Sequence, residues 1–395
     1  MSNTIEIREV CDVFDGPHAT PKKTATGPIY LGIDAITADC RLNPLEYNYL
    51  SEEDYKIWTK RVTPVENDIV FSYEATLGRY AMIPANFYGC LGRRLALIRV
   101  KDNRINPTWL YYYFMSPEWK VFIANHTVKG STVDRISVEA FPSYKIPSIE
   151  RKKQDDIVKI LKSIDDRIEN NKRICSELEA MAKSLYDYWF VQFDFPDENG
   201  RPYRTSGGAM EWNDQLKQEI PNGWKVMRIC DIADLYQPKT LSGSDMVENG
   251  LYNVYGANGI IGKYNSYNHE NRTIAITCRG ASCGNFLMTL PKSWITGNAM
   301  VVSPHAEISQ EYLYYTLSKD RISPFITGSA QPQITRENLS NLLVVIADEK
   351  NMTAFSTFSD VVRSKIESSV SENEELTKLR DWLLPMLMNG QAKVE

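Results

Sequence analysis

The side chains that could do chemistry here are amides, guanidinium groups and ammonium groups set in loops marked by glycine and proline. Gln331 and Gln333 flank Pro332, and a glutamine amide pairs in two places with the edge of adenine. An earlier loop holds Lys129, Ser131, Thr132 and Arg135, while Arg279 precedes Gly280 just after the apolar run Ile274–Thr277. Lys22, Lys23, Arg79, Lys239, Asn258 and Arg336 add further donors. Such groups suit phosphate oxygens and base edges of nucleic acid.

Catalytic chemistry finds no matching pattern. The sequence has no Gly-x-Gly cofactor loop, no Gly-Lys-Ser/Thr phosphate loop and no Asn-Pro-Pro-Tyr or Asp-Pro-Pro-Tyr methyl-transfer motif. Asn43-Pro44-Leu45 and Asn106-Pro107-Thr108 begin like that last motif but lack its second proline and aromatic residue. Asp54-Tyr55-Lys56 and Asp348-Glu349-Lys350 have no upstream Pro-Asp partner and read as solvated charges. The seven cysteines and four histidines are scattered without zinc-ligand spacing, so the thiols are expected reduced and mostly buried, with no metal.

Net charge is −5 over 395 residues, which argues against holding nucleic acid by bulk charge. Local balance differs: residues 88–135 carry eight Lys and Arg against three acids, and residues 263–336 carry seven against four. No run of eighteen apolar residues exists and residues 1–9 are polar, so a cytoplasmic protein with neither membrane span nor signal peptide is expected.

Two long helices must position these loops. In residues 148–189 the apolar seam Ile157, Leu161, Ile164, Ile168, Asn171, Cys175, Leu178, Ala182, Leu185 and Trp189 follows alternating four- and three-residue steps. That is a heptad pattern over about 60 Å of helix. Shifted by 198 positions, Ile157 falls on Phe355, Ile164 on Val362, Ile168 on Ile366, Met181 on Leu379, Leu185 on Leu383 and Trp189 on Leu387. A second, weaker seam thus carries Ser369, Asn373 and Arg380, polar residues of the kind that set register. The preceding blocks repeat as well. Gly130-Ser131 and Ile136 match Gly328-Ser329 and Ile334 at the same offset, Trp109–Tyr112 matches Tyr312–Tyr315, residues 68–78 match 271–284, and Val10-Cys11-Asp12-Val13 matches Ile229-Cys230-Asp231-Ile232. Each block mixes short strands (29–33, 68–73, 80–83, 94–100, 143–146 in the first) with short helices, two of them opened by Asn106-Pro107 and Ser116-Pro117. The tyrosines of 111–113 and 312–315 have helical spacing and read as core rather than stacking platforms for bases. The expected organisation is a first domain (1–147), a first long helix (148–192), a Pro/Gly/Asp-rich linker (193–223), a second domain (224–347) and a second long helix (348–390).

Four stretches carry a resemblance to a known family: residues 185–195 (Leu-Tyr-Asp-Tyr-Trp-Phe-Val-Gln-Phe-Asp-Phe), Ile220-Pro221-Asn222-Gly223-Trp224, residues 255–262 and residues 328–334. With the layout, they make the chain resemble the DNA specificity subunit of type I restriction-modification systems over nearly its whole length. One departure is the lead-in to the first domain, which lacks a Pro-x-Gly-Trp before Ile5. The resemblance implies an α+β fold of two similar mixed α/β target-recognition domains joined by two antiparallel coiled-coil helices with pseudo-twofold symmetry. It implies a non-catalytic reader of double-stranded DNA, one half of a bipartite target per domain, with the helices setting the spacing. It also implies partners: two copies of a methyltransferase (modification) subunit binding S-adenosylmethionine, and a motor-nuclease subunit that joins them. No cofactor is expected in this chain, and Phe190 and Trp382 near the helix ends are expected docking residues. The alternative is a coiled-coil scaffold that never reads DNA.

Overall fold

A computed structural model describes residues 4–130, 133–256, 258–317, 319–328 and 330–392. It divides into two units, residues 1–169 with 373–395, and residues 170–372. The first unit opens with β1 (Thr4–Glu6), the one-turn helix α1 (Ile7–Val10) and β2 (Cys11–Asp15). There follow β3 (Thr24–Leu31), β4 (Asn48–Tyr49), α2 (Glu52–Trp58), β5 (Ile69–Ser72), β6 (Tyr80–Met82), β7 (Gly89–Leu91) and β8 (Leu95–Val100). Helices α3 (Pro107–Met115) and α4 (Pro117–His126) begin at the expected Asn-Pro and Ser-Pro. The Asn106 side chain accepts from the N–H groups of Thr108 and Trp109, and Ser116 accepts from Trp119. Asn43 caps a short turn in the same way, its side chain accepting from the Leu45 N–H. β9 (Thr127–Val128) pairs with β10 (Arg135–Ile136), and β11 (Lys145–Pro147) returns to pair with β1.

The main sheet has the antiparallel order β2-β8-β5-β6, and a second sheet, β4-β3-β7, pairs β3 with β7 in parallel. Every residue of β5 is buried because both faces are covered. Ile69 and Phe71 join Trp109, Phe114, Trp119 and Phe141 on one side, while Val70 joins Leu31, Ala81 and Leu97 on the other. Tyr111, Tyr112 and Tyr113 are buried in the first of these clusters, as their spacing predicts.

Helix α5 (Arg151–Tyr186) ends in a wide turn over residues 187–191. The second unit then builds β12 (Met210–Asn213), β13 (Gln218–Pro221), β14 (Lys225–Arg228), α6 (Ile229–Ile232), β15 (Ala233–Tyr236), β16 (Tyr252–Gly256), β17 (Gly259–Tyr264), β18 (Ile274–Thr277), β19 (Phe286–Met288), β20 (Trp294–Ile295) and β21 (Ala299–Pro304). α7 (Gln310–Thr316), α8 (Lys319–Ile322), α9 (Arg336–Leu339) and β22 (Leu343–Ile346) complete it, and α10 (Glu349–Met388) follows, its residues from 373 onward belonging to the first unit. Its sheets repeat the first unit: β15-β21-β18-β19, β17-β16-β20 with β16 parallel to β20, and β14-β22.

Two readings of the sequence need correction. The match of residues 10–13 to 229–232 is three positions out: α1 corresponds to α6, and β2 to β15. The pairs β1-β11 and β14-β22 set where each domain starts, whereas both stretches share an apolar residue every third position. The expected linker is folded onto the second unit. Phe193, Phe195 and Ile220 are buried with Trp224, the Phe195 ring stacks on Tyr203 and Trp224 at 4.5 and 4.9 Å, and Asp194 accepts from the Thr205 N–H and hydroxyl at 2.8 and 2.6 Å. Polar turn residues hid three aromatic anchors.

Within each unit the long helices pair antiparallel. In the first, Ile157 and Leu161 share a core with Leu384 and Leu387, and Asn373 Nδ2 donates to Ile168 O at 3.3 Å. In the second, Asn171 Nδ2 donates to Glu372 Oε2 at 2.9 Å, Ala182 packs with Val362 and Ile366, and Tyr186 and Phe190 pack on Tyr312 and Phe355. The seam residues Ala182 and Arg380 are buried while the neighbouring pair Met181 and Leu379 is exposed, and the seam shifts by one residue only at its far end, where Tyr186 and Phe190 replace Leu185 and Trp189 as the buried residues. A straight α-helix slips about 20° per heptad, enough to move the seam. Phe190 is therefore core, not a docking residue, whereas Trp382 is 59% exposed.

Candidate nucleic-acid interface

Each domain gathers its chemistry at one end of the four-stranded sheet. In the first domain this is where β2 and β5 finish and β6 and β8 begin. The turn after β5 is held by Ser72, whose N–H donates to Arg79 O at 3.0 Å, and by the Gly78 N–H on Ser72 O. Arg79 leaves that turn and donates through Nη1 to Ile36 O at 3.0 Å, so its guanidinium is fixed rather than free to sweep. Arg79 and Lys129 line one cleft of about 460 Å³ together with Lys120 and Asp134. The Lys129 ammonium lies 2.9 Å from Asp134 and holds that carboxyl below its ordinary range. Arg135 is exposed and stands opposite Glu74 in an isolated antiparallel bridge. At the end of β2, burial and the neighbouring Asp15 push the Tyr73 phenol up to about 12, so it stays a donor. Lys22 and Lys23 are exposed on the segment entering β3 and are not among the described residues that line this cleft. Ser131 and Thr132 lie outside the described residues.

In the second domain the same end is formed by the finish of β15 and β18 and the start of β19 and β21. The framework is repeated: the Thr277 N–H donates to Asn285 O at 2.7 Å and the Gly284 N–H to Thr277 O at 3.0 Å. Arg279 is exposed and bridges Gln333 through the backbone, while the Gly280 N–H donates to Pro332 O at 3.0 Å. Arg279, Gln331 and Gln333 are therefore brought together. The loop that presents the glutamines and its counterpart in the first domain each close on a glycine, since a Cβ on Gly328 would strike the carbonyl of Gln331 and one on Gly130 that of Val133. Asn258, at the β16-β17 hairpin, lines a cleft with Ser282 and Asn285, which belong to the turn that follows Arg279. Lys239 is exposed on the segment after β15, next to Thr240, against which Gly297 packs. Arg336 stands apart from these contacts at the first position of α9, after the Thr335 cap.

The chain matches the type I restriction modification DNA specificity domain over residues 2–180 and 221–378, one copy for each domain and the helix behind it. The chain belongs to that family. Among its relatives, the type I restriction enzyme MjaIX specificity subunit of Methanocaldococcus jannaschii is 23% identical over 384 residues, covering 89% of this chain and 84% of the relative. The HindI specificity subunit of Haemophilus influenzae is 22% identical over 396 residues, covering 80% and 84%. The crystal structure of the S subunit from M. genitalium shares the fold, with a TM-score of 0.57 at 18% identity over 98% of this chain and 95% of that one. Sequence reasoning named these loops but not Lys120, Glu74, Ser282 and Asn285, which line the same clefts or bridge the same residues. Their only signal is strand register, which places residues from separate stretches at one sheet end.

Proposed function

We propose that this chain is the DNA-reading subunit of a type I restriction-modification complex and has no catalytic role of its own. The observation that carries the reading is duplication of a site, not only of a fold: the same sheet end, built by the same backbone hydrogen bonds, presents Arg and Lys in the first domain and Arg, Gln and Asn in the second. Each domain reads one half of an asymmetric bipartite target. The long helices, α5 of 36 residues and α10 of 40, set the separation of the halves. Methyl transfer from S-adenosylmethionine belongs to modification subunits, two copies matching two repeats, and a motor-nuclease subunit joins them. Exposed Trp382 and Leu379 in the first unit and Met181 and Val361 in the second supply apolar helix surface for such partners.

The rival reading is a scaffold that never reads DNA. Titrating the chain, with its modification subunits, against target and scrambled duplexes across a range of salt separates the two. The target is expected to bind about 10³-fold more tightly or better, both affinities should fall as salt rises, and Gln331→Ala with Gln333→Ala should cut the preference by about tenfold or more without lowering the melting temperature. Equal affinity for every duplex contradicts the proposal, and no affinity for any supports the scaffold.

A further inference from the structure

Resting on that DNA-reading function, the backbone frame assigns residues that the loops alone do not reveal. In the first domain the Tyr73 N–H donates to Arg94 O at 3.2 Å, the Ile136 N–H donates to Tyr73 O at 2.8 Å, and Glu74 bridges Arg135. In the second, the Cys278 N–H donates to Asn298 O at 3.3 Å, the Ile334 N–H donates to Cys278 O at 2.9 Å, and Arg279 bridges Gln333. Three segments far apart in sequence thus meet in one frame, twice. Glu74, Arg94 and Arg135 occupy the places of Arg279, Asn298 and Gln333.

Residues directly opposite in an antiparallel bridge put their side chains on one face, with Cβ atoms about 4.5–5.5 Å apart. In the first domain the third member is drawn in, since Arg94 Nε lies 3.6 Å from Glu74 Oε1. The frame residues Tyr73, Ile136, Cys278 and Ile334 are buried, whereas all six matched positions are exposed or half-exposed. The frame is kept and every matched side chain differs. Each is also of a base-reading type: Arg pairs with guanine, Asn and Gln pair with adenine, and a carboxylate accepts from the cytosine amine.

We infer that these matched positions are the base-reading triad of each domain, and that their different occupants make the two half-sites different. Glu-Arg-Arg in the first domain fits cytosine and guanine edges; Arg-Asn-Gln in the second fits guanine and adenine edges.

The test is a map of methylated bases in cells carrying the chain with its modification subunits. Asn298→Ala should lose about tenfold or more of its discrimination at one base pair of one half, with the other half and the spacing unchanged. Arg94→Asn should alter the other half. Asparagine tolerates the left-handed backbone that Arg94 adopts at φ 70°. Glu74→Arg with Arg94→Asn and Arg135→Gln should move the first half-site toward the second. Where a variant melts earlier than the parent, Asn298→Asp and Arg94→Lys are mapped in its place. An unchanged target in folded variants of both domains overturns the triad. No chain-dependent methylation with the parent sequence overturns instead the function on which the triad rests.

Discussion

Asp165, on α5, accepts from Arg41 Nη2 at 2.6 Å, Arg380 Nη1 at 3.1 Å and the Tyr112 hydroxyl at 2.7 Å, and so ties a long helix to its neighbour and to the first domain. The second unit has its own version. There Arg272 reaches Glu367 at 2.6 Å and Asp360 at 3.0 Å, Glu311 accepts from Ser359 at 3.0 Å, and Arg363 lies over the Tyr314 ring at 5.0 Å. Arg380 keeps a second carboxylate, Asp381 at 2.8 Å, and Arg41 keeps Glu169 at 3.5 Å, so removing Asp165 strips shared hydrogen bonds rather than all compensation. Asp165→Ala should therefore cost about 1–3 kcal/mol, read as a lower midpoint in denaturant unfolding. A midpoint within error of the parent would mean that the cluster does not hold the helix to the domain. None of this was legible in the sequence. Asp165 sits among the charged positions between seam residues, and its partners lie 124 and 215 positions away. The glutamine loop was legible because its residue types and its glycine are local.

At the scale of elements, caps and periodicity carried well while register did not. Asn106 and Ser116 announce α3 and α4 because capping is settled within three residues. The apolar face of α5 was visible from Ile157 to Ile168, but its far end turned by one position. Accumulated helical drift and the wide turn at 187–191 together decide which aromatic residue faces inward. The small sheets β4-β3-β7 and β17-β16-β20 escaped detection, since parallel pairing joins strands far apart in sequence, Ile29 to Gly89 and Val254 to Trp294. The helices yield a prediction of their own. Deleting seven residues from both α5 and α10 preserves the seam pattern and shortens each helix by about 10 Å. The unread spacer of the DNA target should then change length while both half-sites keep their sequences; an unchanged spacer would remove the helices from the task of setting it.

For the whole molecule, the duplication was legible in outline because the 198-residue offset links loop, last strand and helix in each half. It was blurred upstream, where insertions differ and the sequence match ran three residues off the structural one. The consequence of duplication is that a single chain presents two copies of one scaffold with different side chains at the working end, which is what an asymmetric target requires. Family membership and the matched sheet ends point to the same account: recognition is built here. The measurement that tests this most directly is the genome-wide map of methylated bases in cells with and without this chain, its modification subunits being present in both. The account predicts methylation that depends on the chain and falls at an asymmetric target of two specified segments separated by an unspecified spacer. Methylation that is identical in both cells, or that falls at one uninterrupted site, would contradict it.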